Sequence, residues 1–102
     1  MRKSLAALLV LACSSPLLAA EAKEIRFGVD PGFAPYEFKD SNGKLVGFDI
    51  DLGNAICTHL KAKCVWVESG FDALIPSLQA RKFDAILSAM NITEKRVMLP
   101  TY

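Results

Sequence analysis

Apolar and polar residues alternate around Ile25, Phe27 and Val29, so residues 24–29 read as a strand, stopped by the turn cluster Asp30-Pro31-Gly32. Residues 36–39 and 44–46 flank Asp40-Ser41-Asn42-Gly43, the pattern of a hairpin closed by an Asn-Gly turn. The period then lengthens. Phe48, Leu52, Ala55, Ile56 and Leu60 recur at three- and four-residue spacing, which predicts an amphipathic helix from Asp49 to about Leu60. Asp49 is placed to cap its start, and Lys61 and Lys63 suit the negative end of its dipole. Residues 64–67 predict a short strand. Ser69-x-x-Asp72 reads as a capping box before a second helix whose Leu74, Ile75 and Leu78 face inward, with Pro76 acceptable only in the first turn. Residues 83–87 form a further apolar strand, and Asn91-x-x-Glu94 announces a third helix. Strands and helices in this order predict an α/β fold, a parallel sheet with right-handed crossovers and flanking helices.

Hydrophobic residues make up 52% of the chain, a share inflated by its start. Arg2 and Lys3, the apolar run from Leu5 to Ala12, and small residues through Ala19, Ala20 and Ala22 have the order of a secretory signal peptide. The run is too short for a bilayer, which takes about 20 apolar residues, and Ser14, Ser15 and Pro16 interrupt it. Residues 1–22 are therefore expected to be a leader cut after Ala22, or alternatively after Ala20, leaving 23–102 in the periplasm. Val10-Leu11-Ala12-Cys13 weakly resembles a lipoprotein box, so anchoring at Cys13 is the lesser alternative.

Removing the leader takes Arg2, Lys3 and Glu21 from 12 basic and 11 acidic residues, leaving 10 of each. A neutral chain without basic blocks gives no reason to expect a nucleic-acid partner. Cys57 and Cys64 remain, and two cysteines in an exported chain favour a disulfide. With a single histidine they do not suffice for a zinc site, and neither metal nor cofactor is expected. So few strands leave a sheet edge that a complete domain would pair or cover, so the chain reads as a fragment.

Ligands in open parallel sheets bind beyond the carboxyl ends of the strands, which selects the loops at 30–36 and 88–96. In the second, Ser88 and Asn91 offer side-chain donors, and the start of the next helix points free amides outward. Arg96 is suited to grip a carboxylate with two parallel hydrogen bonds, and equally to sit solvated on a helix. The first loop sets Asp30 beside Phe33 and Tyr36, a combination that suits an ammonium or guanidinium group. An aspartate before Pro-Gly is, however, most often only a turn residue. Together the loops suggest a zwitterionic ligand. Enzyme signatures are missing: there is no Gly-rich phosphate loop or nucleophile elbow, and His59, the one histidine, lies far from both loops. Asp49 and Asp51 could do acid–base work, but carboxylates are favoured at a helix start in any case.

Three ordered motifs sharpen this picture. Gly47-Phe48-Asp49-Ile50-Asp51-Leu52, Phe71-Asp72-Ala73-Leu74-Ile75-Pro76-Ser77-Leu78 and Asn91-Ile92-Thr93-Glu94-Lys95-Arg96 resemble the family 3 solute-binding proteins, above all their lysine/arginine/ornithine- and histidine-binding branch. The resemblance implies two α/β lobes of a type II periplasmic binding protein closing on one amino acid, with this chain a part of lobe one. It implies that Arg96 holds the ligand's α-carboxylate with help from Ser88, Ala89 and Asn91. Asp30 would receive a cationic side chain, Phe33 and Phe71 would sandwich the ligand, and Cys57 would pair with Cys64. Phe33 stands where the branch often has tyrosine, and Ala89 and Asn91 where it often has serines, which bears on the choice of ligand. The aspartate for the α-ammonium group would lie in the second lobe. The implied partners are an amino acid and the permease subunits of an ABC transporter, with the protein a monomer and not an enzyme. Rival readings on the same fold are a dehydratase of aromatic amino-acid synthesis and the sensing domain of a receptor or lytic transglycosylase. Without a closing lobe, the segment alone is expected to bind no amino acid tightly.

Overall fold

In the computed structural model, which describes residues 23–99, the chain runs β1 (Lys23–Val29), β2 (Phe38–Lys39), β3 (Leu45–Val46), α1 (Phe48–His59), β4 (Ala62–Glu68), α2 (Phe71–Gln79), β5 (Ala85–Ile86) and α3 (Glu94–Val97). The leader expected at 1–22, with its alternative cuts and Cys13, lies outside the described residues. β1 is central in a parallel sheet of order β4-β1-β5, pairing Lys23 to Val29 with Ala62 to Glu68 and Phe27-Gly28 with Ala85-Ile86. Phe27, Gly28 and Val29 are all buried, as expected of a strand covered on both faces.

Two glycines set how closely the layers approach. Phe27 stacks on Trp66 of β4 at 5.0 Å between centroids. A Cβ on Gly53 of α1 would lie 2.5 Å from the Trp66 ring, so α1 presses on this face through bare backbone. Gly28 points to the opposite face, where an added Cβ would lie 2.4 Å from the Phe83 ring. α2 covers β1 and β5 with Leu74 fully buried and Ile75 and Leu78 half-buried, the inward set expected.

Several local expectations are corrected. β2 and β3 pair antiparallel, Phe38 with Val46 and Lys39 with Leu45, but no two-residue Asn-Gly turn joins them. Asp40 N–H donates to the Lys44 carbonyl and Gly43 N–H to the Asp40 carbonyl, and of the turn residues only Gly43 has positive φ, at 78°. This is a three-residue loop with glycine in the left-handed position, held by Asp40 Oδ1, which accepts from Asn42 and Lys44 N–H. The buried face of α1 is Asp49, Ile50, Gly53 and Cys57, while Phe48, Leu52, Ile56 and Leu60 are exposed. The glycine and the disulfide, rather than the largest apolar residues, decide which side meets the sheet. The helix is capped by Gly47, not Asp49, at φ 128°; a Cβ there would lie 2.3 Å from the Tyr36 carbonyl oxygen.

β4 extends beyond the expected 64–67, and β5 is shorter than 83–87. α2 is capped at Gly70 with no side-chain bond from its cap residue, so Ser69 forms no capping box. Pro76 is the sixth residue of α2, past the first turn; it and Asp72, whose carbonyl it leaves unbonded, are both exposed, so water reaches that carbonyl. α3 starts from Thr93, whose hydroxyl accepts Arg96 N–H at 3.2 Å, and not from Asn91.

Cys57 and Cys64 are joined, tying the end of α1 to β4 with Cα atoms 5.7 Å apart. The chain-entropy model assigns such a short loop about 2–3 kcal/mol. Replacing both cysteines by serine should lower the urea-unfolding free energy by about that amount. An unchanged midpoint, or two free thiols in the exported protein under non-reducing mass spectrometry, would contradict the assignment.

Candidate functional site

The carboxyl ends of β1 and β5 bring their two loops side by side, and hydrogen bonds stitch them together. The Asp30 N–H donates to Ser88 Oγ at 2.8 Å, and Ser88 is 1% exposed. Ser88 therefore serves as a tie between the loops, where the sequence suggested an open donor. The Asp30 carboxylate is also occupied: Oδ1 accepts Gly32 N–H at 3.0 Å and Oδ2 accepts Phe71 N–H at 2.8 Å. Asp30 thus supplies from a distant loop the N-terminal acceptor that α2 does not find in Ser69.

That bond seats Phe71 at the loop crossing. Its ring lies 5.4 Å from Phe33, tilted at 60°. The Arg96 guanidinium carbon sits 5.5 Å from the Phe71 centroid, a cation–π contact, and Nη1 donates to the Asn91 carbonyl at 3.1 Å and to Asn91 Oδ1 at 2.6 Å. Arg96 is thereby laid against the aromatic wall and tethered, half-buried, in place of the solvated alternative. α3 has only four residues and spends its Arg96 N–H on Thr93, so the guanidinium carries more of the site's positive charge than the helix start does.

Ala89 occupies the left-handed region, φ 51°, and its N–H donates to Asp49 Oδ2 at 2.9 Å. Asp30, Phe33, Phe71, Asn91 and Arg96 are linked in one run of contacts, with Ser88 and Ala89 held beneath it. Tyr36 turns to the side and meets Phe48 edge-on at 6.4 Å.

Two carboxyl groups escaped the sequence reading. Asp49, taken for a cap, is 6% exposed and reaches across to the 88–91 loop. Glu37 is fully buried with no hydrogen-bond partner for either oxygen. Burial, then the neighbouring Asp49 and more weakly the Asp30 charge, push its pKa up to about 8, against the pull of the Ser88 hydroxyl. Nothing in the pattern around Glu37 signals this, since its place beside the hairpin reads as a solvent-facing slot.

Chemically, the arrangement is a cradle with an aromatic wall, a guanidinium near one part and a carboxylate near another. His59 ends α1 in an exposed position apart from it. Among the described residues no group of three or more His, Cys, Asp or Glu is arranged to hold a metal ion, and no helix is long and apolar enough to cross a membrane.

Comparison with known proteins bears directly on this arrangement. The pattern of the bacterial extracellular solute-binding proteins, family 3, matches residues 25–99. The lysine/arginine/ornithine-binding periplasmic protein of Escherichia coli K12 is 50% identical over 99 residues, covering 94% of this chain and 38% of the relative. The histidine-binding periplasmic protein of the same strain is 50% identical over 93 residues, 91% of this chain and 36% of the relative. The chain thus spans a little over a third of the length of these relatives. Domain 1 of the T. maritima arginine-binding protein, solved in its arginine-bound form, is 44% identical and superposes with a TM-score of 0.71 over 72% of this chain and 59% of that one. The α/β fold expected from the strand and helix order is therefore that of part of such a domain.

Proposed function

The chain belongs to the bacterial extracellular solute-binding proteins of family 3, and on that premise we propose that it is part of lobe one of a periplasmic protein capturing a cationic amino acid. The ligand is arginine, lysine, ornithine or histidine, delivered to the membrane permease subunits of an ABC transporter. The observation that carries this reading is the run of contacts from Arg96 across Phe71 to Asp30, which sets a cation and an anion along one aromatic wall. In it Arg96 takes the α-carboxylate, assisted by the 88–91 loop, and Asp30 takes the positive side chain. Phe33 and Phe71 hold the aliphatic part between their faces.

The protein works as a monomer exported by its leader, without cofactor or nucleic acid. It is a binder rather than a dehydratase, in keeping with relatives named as binding proteins and with a site that offers no nucleophile–base pair. The arginine-bound form of an isolated domain 1 in a relative weighs against the expectation that lobe one alone is idle. In that relative, first-lobe contacts suffice to retain arginine in the crystal.

The test is calorimetry on the full-length protein, stripped of ligand, with arginine, lysine, ornithine, histidine, glutamine and glutamate. Cationic amino acids should bind with micromolar or tighter Kd and glutamine roughly a hundredfold more weakly, as a lost charged contact implies. A preference for glutamate, or turnover of prephenate or arogenate, would overturn the proposal.

A further inference from the structure

Two carboxyl groups lie beneath the loop assigned to the ligand's carboxylate, and their surroundings differ. Asp49, on the first turn of α1, accepts the Ala89 N–H at 2.9 Å. That bond holds Ala89 in a left-handed conformation, φ 51°, which a residue with a Cβ adopts only when its neighbours enforce it. Glu37, just before β2, is fully buried, and neither oxygen has a hydrogen-bond partner. The groups facing it are Asp49 from α1, Asp30 from the end of β1 and the Ser88 hydroxyl from the loop after β5, so no cation offsets a charge there.

A buried carboxylate without a partner is strongly disfavoured, more so beside a second one. The neutral acid removes both penalties, and its O–H is a donor that the carboxylate next to it accepts. Two bare carboxylates have no hydrogen to share; one proton completes the pair. We propose that Glu37 is a positioning residue, which keeps its proton at neutral pH and donates it to Asp49, so that the pair holds Ala89 and with it the ligand-facing 88–91 loop. This rests on the function proposed above, since it gives that loop its role.

The sign of the pH dependence follows from the geometry and from the raised pKa, about 8 in the folded protein against 4.5 for an unperturbed glutamate. Below the folded value the proton is present and the brace is intact. As pH rises through it, two adjacent charges repel, Asp49 loses its donor from Glu37, and the Ala89 N–H is held less well. Stability contributed by the neutral acid is full below 4.5 and is lost as pH rises through about 8.

The test is made on full-length wild type, Glu37→Gln and Glu37→Leu. Glutamine keeps a donor toward Asp49 and cannot ionise, whereas leucine removes the donor altogether. Arginine affinity is measured by calorimetry from pH 6.5 to pH 9. Titration of arginine's own α-ammonium group affects all three proteins alike, so only differences between their profiles count. Wild type should lose about tenfold more affinity than Glu37→Gln between pH 7 and pH 9, as the competent fraction falls to roughly a tenth one unit above the midpoint. Glu37→Leu should bind more weakly than Glu37→Gln at every pH. Parallel profiles for wild type and Glu37→Gln, or equal affinities for the glutamine and leucine variants, would overturn the proposal.

A second arm needs no ligand. The Ala89 amide resonance of the wild type should titrate with a midpoint near neutral to mildly basic pH, and that of Glu37→Gln should not. An Ala89 amide that does not move in the wild type, or moves equally in both, also overturns it. A protein that binds no amino acid yet shows this titration difference would sink the functional reading while leaving the Glu37–Asp49 pair in place.

Discussion

Replacing Arg96 with alanine in the full-length protein should weaken every amino-acid ligand by about 2–5 kcal/mol, roughly thirtyfold to several thousandfold in Kd. Every amino acid carries an α-carboxylate, so the loss should be similar for arginine and glutamine. Three features of the structure make the effect large. The guanidinium is already laid on the Phe71 ring and tethered by two bonds to Asn91, so little of its freedom remains to be lost on binding. Alanine also strips the exposed side of Phe71 of its cation, and it leaves Asn91 Oδ1 without the 2.6 Å bond. Arg96→Lys, which keeps the charge but not the planar fork, should recover only part of the affinity. If arginine binds Arg96→Ala as it binds the wild type, the carboxylate site lies elsewhere and the proposed mechanism fails with it.

Asp30→Asn should have two separable effects. From sequence alone, asparagine appeared to keep the shape and remove only a charge, which would spare neutral ligands. The structure changes that expectation, because both carboxylate oxygens are hydrogen-bond acceptors, one for Gly32 N–H and one for Phe71 N–H. Asparagine offers one oxygen, and its NH2 must then face a backbone donor. The ligand-free protein should lose about 1.5–3 kcal/mol in urea unfolding, the range for a hydrogen bond to a charged group. Cationic ligands should lose a further 1–3 kcal/mol or so relative to glutamine, the range again of a charged contact. Glutamine itself should weaken slightly, since Phe71 no longer has its anchor. Equal losses for arginine and glutamine would reduce Asp30 to a capping residue and remove it from ligand selection. Unchanged unfolding would mean instead that the bond to Phe71 N–H contributes little.

The motif residues differ in how far their roles could be read in advance. Arg96 was legible because its chemistry is local: a guanidinium a few residues beyond a strand end has a short menu of uses. Asp30 and Ser88 were legible as neighbours of the site, but the sequence assigned their polar atoms to a ligand, and the fold gives them to each other and to Phe71. Spacing along the chain cannot reveal a bond spanning 58 or 41 residues. Asp49 shows the same limit. A carboxylate at a helix start satisfies a local rule so well that its contact with Ala89, 40 residues away, leaves no trace in the pattern.

Periodicity, turn chemistry and strand–helix order by themselves determined the α/β class, the parallel sheet, the inward face of α2, the cysteine pair and the two loops that build the site. These depend on the 2.0 and 3.6 residue periods and on turn residues, which are properties of neighbours in the chain. Only the tertiary structure decided which side of α1 is buried. There a close approach through Gly53 outweighs the larger side chains of Phe48, Leu52, Ile56 and Leu60. It alone decided what caps α2, since Asp30 reaches Phe71 only once β1 and β4 lie side by side. It also decided the fate of Glu37. A carboxyl group flanked in sequence by tyrosine and phenylalanine reads as a surface residue. Whether it is charged depends on the water and the carboxylates around it, and those are set by elements the chain brings together only on folding.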